Sequence, residues 1–115
     1  MPIDELAAIW LAASEDDRRA ILAVVRVRQA MPHGVDAMVR VLKHGAVKHN
    51  GGQLGSAPAW TRAQHVEHLM GHAKAAMVTP ASRDAETGEL DAAHAAARAV
   101  LACQLVDSSD RGEVW

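Results

Sequence analysis

Apolar residues recur at three- and four-residue spacing through most of the chain, the period of a helix with one buried face. Ile3 to Ala13 places Leu6, Ile9, Trp10 and Ala13 on one side and reads as a short first helix. Ser14 then offers an N-cap, and Glu15, Asp16 and Asp17 fill a first turn where the helix dipole favours anions. The second helix carries Ile21, Leu22, Val24, Val25 and Val27 to about Ala30 and is expected to stop at Pro32-His33-Gly34. A third, from Val35 to Lys48, presents Met38, Val39, Val41, Leu42 and Ala46. The stretch His49 to Ala59, rich in Gly, Pro and Ser, predicts a loop. A fourth helix is expected from Trp60 or Thr61 to Met77, and a second loop from Val78 to Thr87 around Pro80. A fifth runs from Gly88 to about Val106, and Asp107 to Trp115 reads as a loose tail. The expectation is an all-α fold, a small bundle of about five helices.

Composition sharpens this picture. Of 115 residues 24 are Ala, and the aromatics are three Trp with no Phe or Tyr. Small side chains suit closely packed helices and argue against a β-sandwich, which wants β-branched and aromatic residues. The length fits one compact domain spanning 1–115. A net charge of −2 gives no basic footprint, so no nucleic-acid partner is expected. The lone Cys103 excludes a disulfide framework and a cysteine-based zinc site, and points to a reducing compartment. No apolar run is long enough for a membrane span, and no signal peptide is read at the start. Apolar stripes on short Ala-rich helices predict a homo-oligomer that covers them.

Histidine is the unusual component. Five of seven His fall between His44 and His72. On the fourth helix His65, His68 and His72 lie at i, i+3 and i+7, within about 60° of one another, so three imidazoles share a stripe. The fifth helix repeats the spacing with Asp91, His94 and Arg98. Helices joined by a short loop usually pack antiparallel, which would turn the two stripes toward one cleft, the way bundle proteins build metal sites. Between them, Asp84, Glu86, Glu89 and Asp91 supply four carboxylates in eight residues. Such hard oxygen donors suit Mg²⁺ or Mn²⁺, although acids near a helix start are also favoured by the dipole alone. Lys43 and Lys48 beside the Gly-rich loop could meet a phosphate, and Trp60 or Trp10 could stack on a base.

Gly45-Ala46-x-Lys48, a Trp after a loop, a His-bearing helix, and Asp84-x-Glu86-Thr87-Gly88 leading into Asp91-x-x-His94-Ala95-Ala96-Ala97-Arg98 together resemble the phage dATP/dGTP diphosphohydrolase family. That family is grouped with the MazG-like, all-α nucleoside triphosphate pyrophosphohydrolases and includes the MazZ enzymes of phages that replace adenine by 2-aminoadenine. The resemblance covers about residues 35 to 105. It implies a divalent-metal enzyme that cleaves a purine (deoxy)nucleoside triphosphate, (d)GTP first and dATP second, to the monophosphate and pyrophosphate. It implies a homodimer or homotetramer, and the cytoplasm of the host for a phage chain. Carried over, Lys48 meets phosphate, Trp60 borders the nucleotide, and Asp84, Glu86 and His94 belong to the metal and phosphate site. His72 is the family's helix His, with His68 as the alternative. His49 stands where Tyr is usual, Gly71 where Arg is frequent, Asp91 where His is frequent, and Arg98 where Asn is frequent.

Phosphoanhydride hydrolysis needs phosphates held in line, charge neutralised and a water placed. The residues are therefore expected to divide as follows. Asp84, Glu86 and Asp91 take the metal, and His68, His72 and His94 are ligands or proton carriers. Lys48 and Arg98 offset triphosphate charge, and Glu67 or Glu89 is the general base. A non-catalytic helical module that binds metal or a partner protein is the alternative. A hydrolase of the His-Asp type is disfavoured, because no His-Asp dipeptide occurs in the chain.

Overall fold

In a computed structural model of the chain, residues 3–106 are described here. They form five α-helices: α1 (Ile3–Ala12), α2 (Glu15–Ala30), α3 (Pro32–His49), α4 (Arg62–Val78) and α5 (Asp91–Gln104). No strand occurs among them; a single bridge pairs Arg83 with Leu90. The fold class is all-α, as the periodicity predicts. The expected tail from Asp107 lies outside the described residues.

The described residues fall into two compact units that divide between Val35 and Asp36. In the first, Ser14 caps α2 as its position foretells, its hydroxyl oxygen accepting the Asp17 N–H at 3.1 Å. The Arg18 guanidinium donates to the Trp10 carbonyl at 2.9 Å and lies 5.3 Å from the Trp10 ring, satisfying the open end of α1. None of the residues of α2 is buried.

The stop expected at Pro32 is also a start, three residues before the Val35 that the pattern suggests. Helix α2 ends at Ala30, and Pro32 is the first residue of α3. The missing N–H of a proline would be unpaired in a first turn anyway, and its fixed φ suits a helix, so the same residue that closes one helix opens the next.

In the second unit the core is small-residue packing. Ala37 and Val41 of α3 meet Ala93 and Ala97 of α5, with Met38, Leu42 and Leu90 around them. Short side chains make up this seam, as the Ala-rich composition foretells, while the two helices whose backbones run side by side are α4 and α5. Thr61 opens α4 with a capping box: its hydroxyl accepts the Gln64 N–H at 3.2 Å, and Gln64 Oε1 accepts the Thr61 N–H at 2.8 Å. Side-chain pairs run His72 with Asp91 and His94, then His65 with Arg98. One number falls as the other rises, so α4 and α5 are antiparallel, and the two stripes do face each other.

Helix α5 starts at Asp91, three residues later than the pattern suggests. Residues 84–89 close a tight turn: the Asp84 N–H donates to the Glu89 carbonyl at 2.9 Å, and the Gly88 N–H to the Asp84 carbonyl at 2.8 Å. Gly88 takes φ +72°, a left-handed value that glycine adopts without strain. Arg40 grips the turn from α3, its guanidinium donating to both Glu89 oxygens at 2.7 and 3.1 Å.

Candidate functional site

A cleft of about 420 Å³ opens between α3, α4, α5, the loop after α3 and the 84–89 turn. Its floor is Val41, Leu42 and Ala97; its chemistry lies at two ends along α5. Asp91 and Arg98 are seven residues apart on one helix, roughly 10 Å along the axis.

At the first end, Asp91 is only 6% exposed. Its Oδ1 accepts the His72 Nδ1–H at 2.7 Å and its Oδ2 accepts the Ser82 hydroxyl at 2.5 Å. The Ser82 hydrogen bond first, then His72, hold its carboxyl below the usual carboxylate range. With Nδ1–H committed to Asp91, a neutral His72 keeps its lone pair on Nε2. Asp84 organises the turn: Oδ2 accepts the Glu86 and Thr87 N–H groups at 3.1 and 3.0 Å and the Thr87 hydroxyl at 3.3 Å. Burial works against its charge, but the Thr87 amide and the nearby His94 outweigh that and lower its pKa. Having given its proton to Asp84, the Thr87 oxygen accepts from His94 Nε2–H at 2.7 Å. His94 stacks on His72 with centroids 4.5 Å apart, and burial first, then His72, push its pKa down.

His72, Asp84 and Asp91 each bring a ligand atom within 4.8 Å of the others, so this trio could hold a metal ion. One imidazole and two carboxylates leave positions for water or phosphate oxygens, which fits a divalent cation that keeps part of its hydration. The donors already lie in ordered hydrogen bonds, the outer support that fixes a ligand's orientation.

At the second end, Trp60 is ringed by imidazoles. His65 stacks on it at 5.2 Å, and His49 and His68 meet it edge-on at 5.5 and 4.9 Å. The Arg98 guanidinium carbon lies 4.1 Å from the Trp60 ring centre, and Arg98 Nη1 donates to His65 Nδ1 at 3.0 Å. A guanidinium can only donate, so His65 Nδ1 accepts, and its Nε2–H donates to Ser56 Oγ at 2.8 Å. His65 is 1% exposed, the largest fully buried side chain of the described residues. Burial, then the Arg98 charge, lower its pKa; the same two causes lower that of His68.

The residues singled out from the sequence thus sort by position. His68, His72, Asp84, His94, Trp60 and Arg98 line the cleft, and Asp91 stands behind His72. Lys48 lines it too, paired with Glu86, which also lies 3.7 Å from His44 Nε2. That hydrogen bond to Lys48 lowers the Glu86 pKa and points its carboxylate at α3. The group of three possible ligands includes neither Glu86, His68 nor His94. Glu67 is exposed and Glu89 is bound to Arg40; neither lines the cleft. Trp10 belongs to the first unit. Ser82, Thr87, His65 and Ser56 hold these groups, and the sequence assigns none of them a role in the site. His65 stands there only as a member of the α4 stripe and Thr87 only as part of the motif around Asp84; Ser82 and Ser56, residues common in turns, carry no signal of their own.

The profile of the family described as dATP/dGTP diphosphohydrolase, N-terminal, matches residues 13–113. The chain belongs to this family. Neither curated proteins nor solved structures give a significant match. The matched span takes in every residue of both ends of the cleft.

Proposed function

We propose that this member of the dATP/dGTP diphosphohydrolase family hydrolyses a purine (deoxy)nucleoside triphosphate, dGTP first and dATP second, to the monophosphate and pyrophosphate. The observation that carries the reading is one cleft with a carboxylate–imidazole cluster at one end and an indole with a cation at the other. Phosphates would lie toward His72, Asp84 and Asp91, with Mg²⁺ or Mn²⁺ held by those three. When bound, such a cation neutralises phosphate oxygens and makes a coordinated water more acidic. Lys48 exchanges Glu86 for a phosphate oxygen at the rim, and Trp60 borders the base. Asp91 keeps His72 in one orientation through Nδ1–H. The Thr87 bridge does the same for His94 and Asp84. In the net reaction a P–O bond of the α–β anhydride bridge breaks and water supplies the new P–O bond. Glu67 and Glu89 stand outside the reacting centre in this reading.

Release of pyrophosphate, followed across the eight common ribo- and deoxynucleoside triphosphates with Mg²⁺, Mn²⁺ or EDTA, tests it. Release from dGTP or dATP that EDTA abolishes is expected. Metal binding without release from any of the eight would leave the helical metal- or partner-binding module as the better reading. No helix among the described residues is long and apolar enough to cross a membrane. On the resemblance, we place the activity in the cytoplasm of a phage-infected cell, remodelling the purine pool for 2-aminoadenine DNA.

The chain is also expected to self-associate as a homodimer or homotetramer. Leu22, Val24, Val25 and Val27 of α2 are each exposed, apolar side chains that a second copy would cover. Light scattering behind size exclusion should give a multiple of 12.2 kDa. A 12.2 kDa species at micromolar concentration would reject the assembly and leave the cleft unaffected.

A further inference from the structure

Arg98 is a cation in an uncharged cage. Its partners are the His65 imidazole, the Trp60 indole and, through His65, the Ser56 hydroxyl. Among the described residues no carboxylate lies within ion-pair distance of it. The other Lys or Arg that lines the cleft, Lys48, is answered by Glu86; at the turn Arg40 is answered by Glu89, and Arg83 donates to the Gly88 carbonyl. The acids that line the cleft are Asp84, which serves the turn, and Glu86, which answers Lys48; Asp91, behind His72, serves His72 and Ser82. Burial works against the charge of Arg98, and no acid offsets that. A half-buried guanidinium left without a counter-ion is costly unless an anion completes it.

The geometry shows where that anion would enter. Arg98 Nη1 is 3.0 Å from His65 Nδ1, while both groups lie close to Trp60. Those three distances put the guanidinium and the imidazole on the same side of the indole, so they do not sandwich it. Of the five N–H donors of a guanidinium, one is used by His65. The remaining donors belong to a side chain that lines the cleft, and a planar fork of this kind matches two oxygens of one phosphoryl group.

We propose that Arg98, fixed by His65, forms a phosphate subsite at the Trp60 end of the cleft and takes the phosphoryl group that stays with the nucleoside. The inference rests on the nucleotide reading above, since it is the base beside Trp60 that brings the α-phosphate, rather than the pyrophosphate end, to Arg98. The product monophosphate is then held by Arg98, and pyrophosphate by Lys48 and the cluster at the other end.

Calorimetric titration of the metal-free chain in EDTA with dGMP, dAMP, the matching deoxynucleosides and pyrophosphate separates the possibilities. Arg98→Gln should weaken the better-bound monophosphate by at least ~10-fold while changing deoxynucleoside and pyrophosphate binding by less than ~3-fold. Arg98→Lys, which keeps the charge and loses the fork, should fall between. It also serves as the test if the Gln variant does not fold, read by circular dichroism. Equal losses for monophosphate and deoxynucleoside would make Arg98 a reader of base acceptors and overturn the proposal. So would loss confined to pyrophosphate, an unchanged monophosphate affinity, or no monophosphate binding by the unaltered chain at millimolar concentration. A chain that binds the monophosphate through Arg98 yet releases no pyrophosphate from any triphosphate would sink the hydrolase reading and leave the subsite standing.

Discussion

Asp91→Asn and Asp84→Asn should each lower pyrophosphate release at least ~100-fold, a loss of about 2.7 kcal/mol of barrier stabilisation. The amide is chosen because it separates charge from architecture. At Asp84 the turn depends on an oxygen that accepts the Glu86 and Thr87 N–H groups, and an Asn oxygen can still accept both. At Asp91 an Asn oxygen can still accept the His72 Nδ1–H, but it brings no negative charge to a cluster whose proposed task is to hold a divalent cation. Ser82→Ala is the graded control. It removes one donor to Asp91 and leaves the carboxylate, so a loss of about 10-fold or less is expected. Calorimetry with Mn²⁺ should show weakened metal binding in both Asn variants, and circular dichroism should show retained helix. Unchanged pyrophosphate release in both Asn variants would remove the cluster from the reaction.

What could be read from the sequence was whatever depends on near neighbours. The Ser14 cap, the start of α4 beside Thr61 and the antiparallel stripes on α4 and α5 follow from spacing within one helix or across one loop. Pro32 ends α2 as the pattern predicts, but α3 begins at Pro32 and not at Val35, because proline is a signal for both ends of a helix and pattern alone does not say that one residue serves both. Helix α5 starts later than its pattern because Gly88, at a left-handed φ, closes a turn onto the Asp84 carbonyl and does not join the helix. Side-chain partners far apart in sequence were illegible. Arg40 and Glu89 are 49 positions apart, and Lys48 and Glu86 are 38. The first holds Glu89 away from the cleft, and the second occupies the carboxylate of Glu86, which lines it. The stripe also bears on Glu67, which lies about 100° round the helix from His68, off the His face, and its exposure follows. Periodicity put His65, His68 and His72 on one face, but it could not say that His65 alone is wholly buried, because that depends on Trp60 and Ser56 folding over it.

That burial makes His65→Ala the most damaging single change expected for the fold of this unit, about 2–4 kcal/mol of stability. The deletion opens a cavity under Trp60, strips Arg98 of its hydrogen-bond acceptor and leaves Ser56 without the Nε2–H it accepts. His65→Gln should recover part of the loss, since the amide offers an oxygen to Arg98 and an N–H to Ser56. Acid separates the two variants further. Burial and the Arg98 charge hold the folded-state pKa of His65 below the ordinary imidazole value of 6.5, and neighbouring His68 repels any added proton. The unfolded chain therefore takes up a proton first as pH falls. Stability is complete above about 6.5 and declines below it, by at most about 1.4 kcal/mol per pH unit for one such histidine. His94 and His68 have lowered values too and act in the same direction, so a Gln at 65 should flatten the decline without abolishing it. Urea midpoints measured from pH 8 to 5 report both effects. A variant with Gln at 65 that loses stability as steeply as the unaltered chain, or an unaltered chain that gains stability at pH 5, would show that His65 is not held neutral between Arg98 and Ser56.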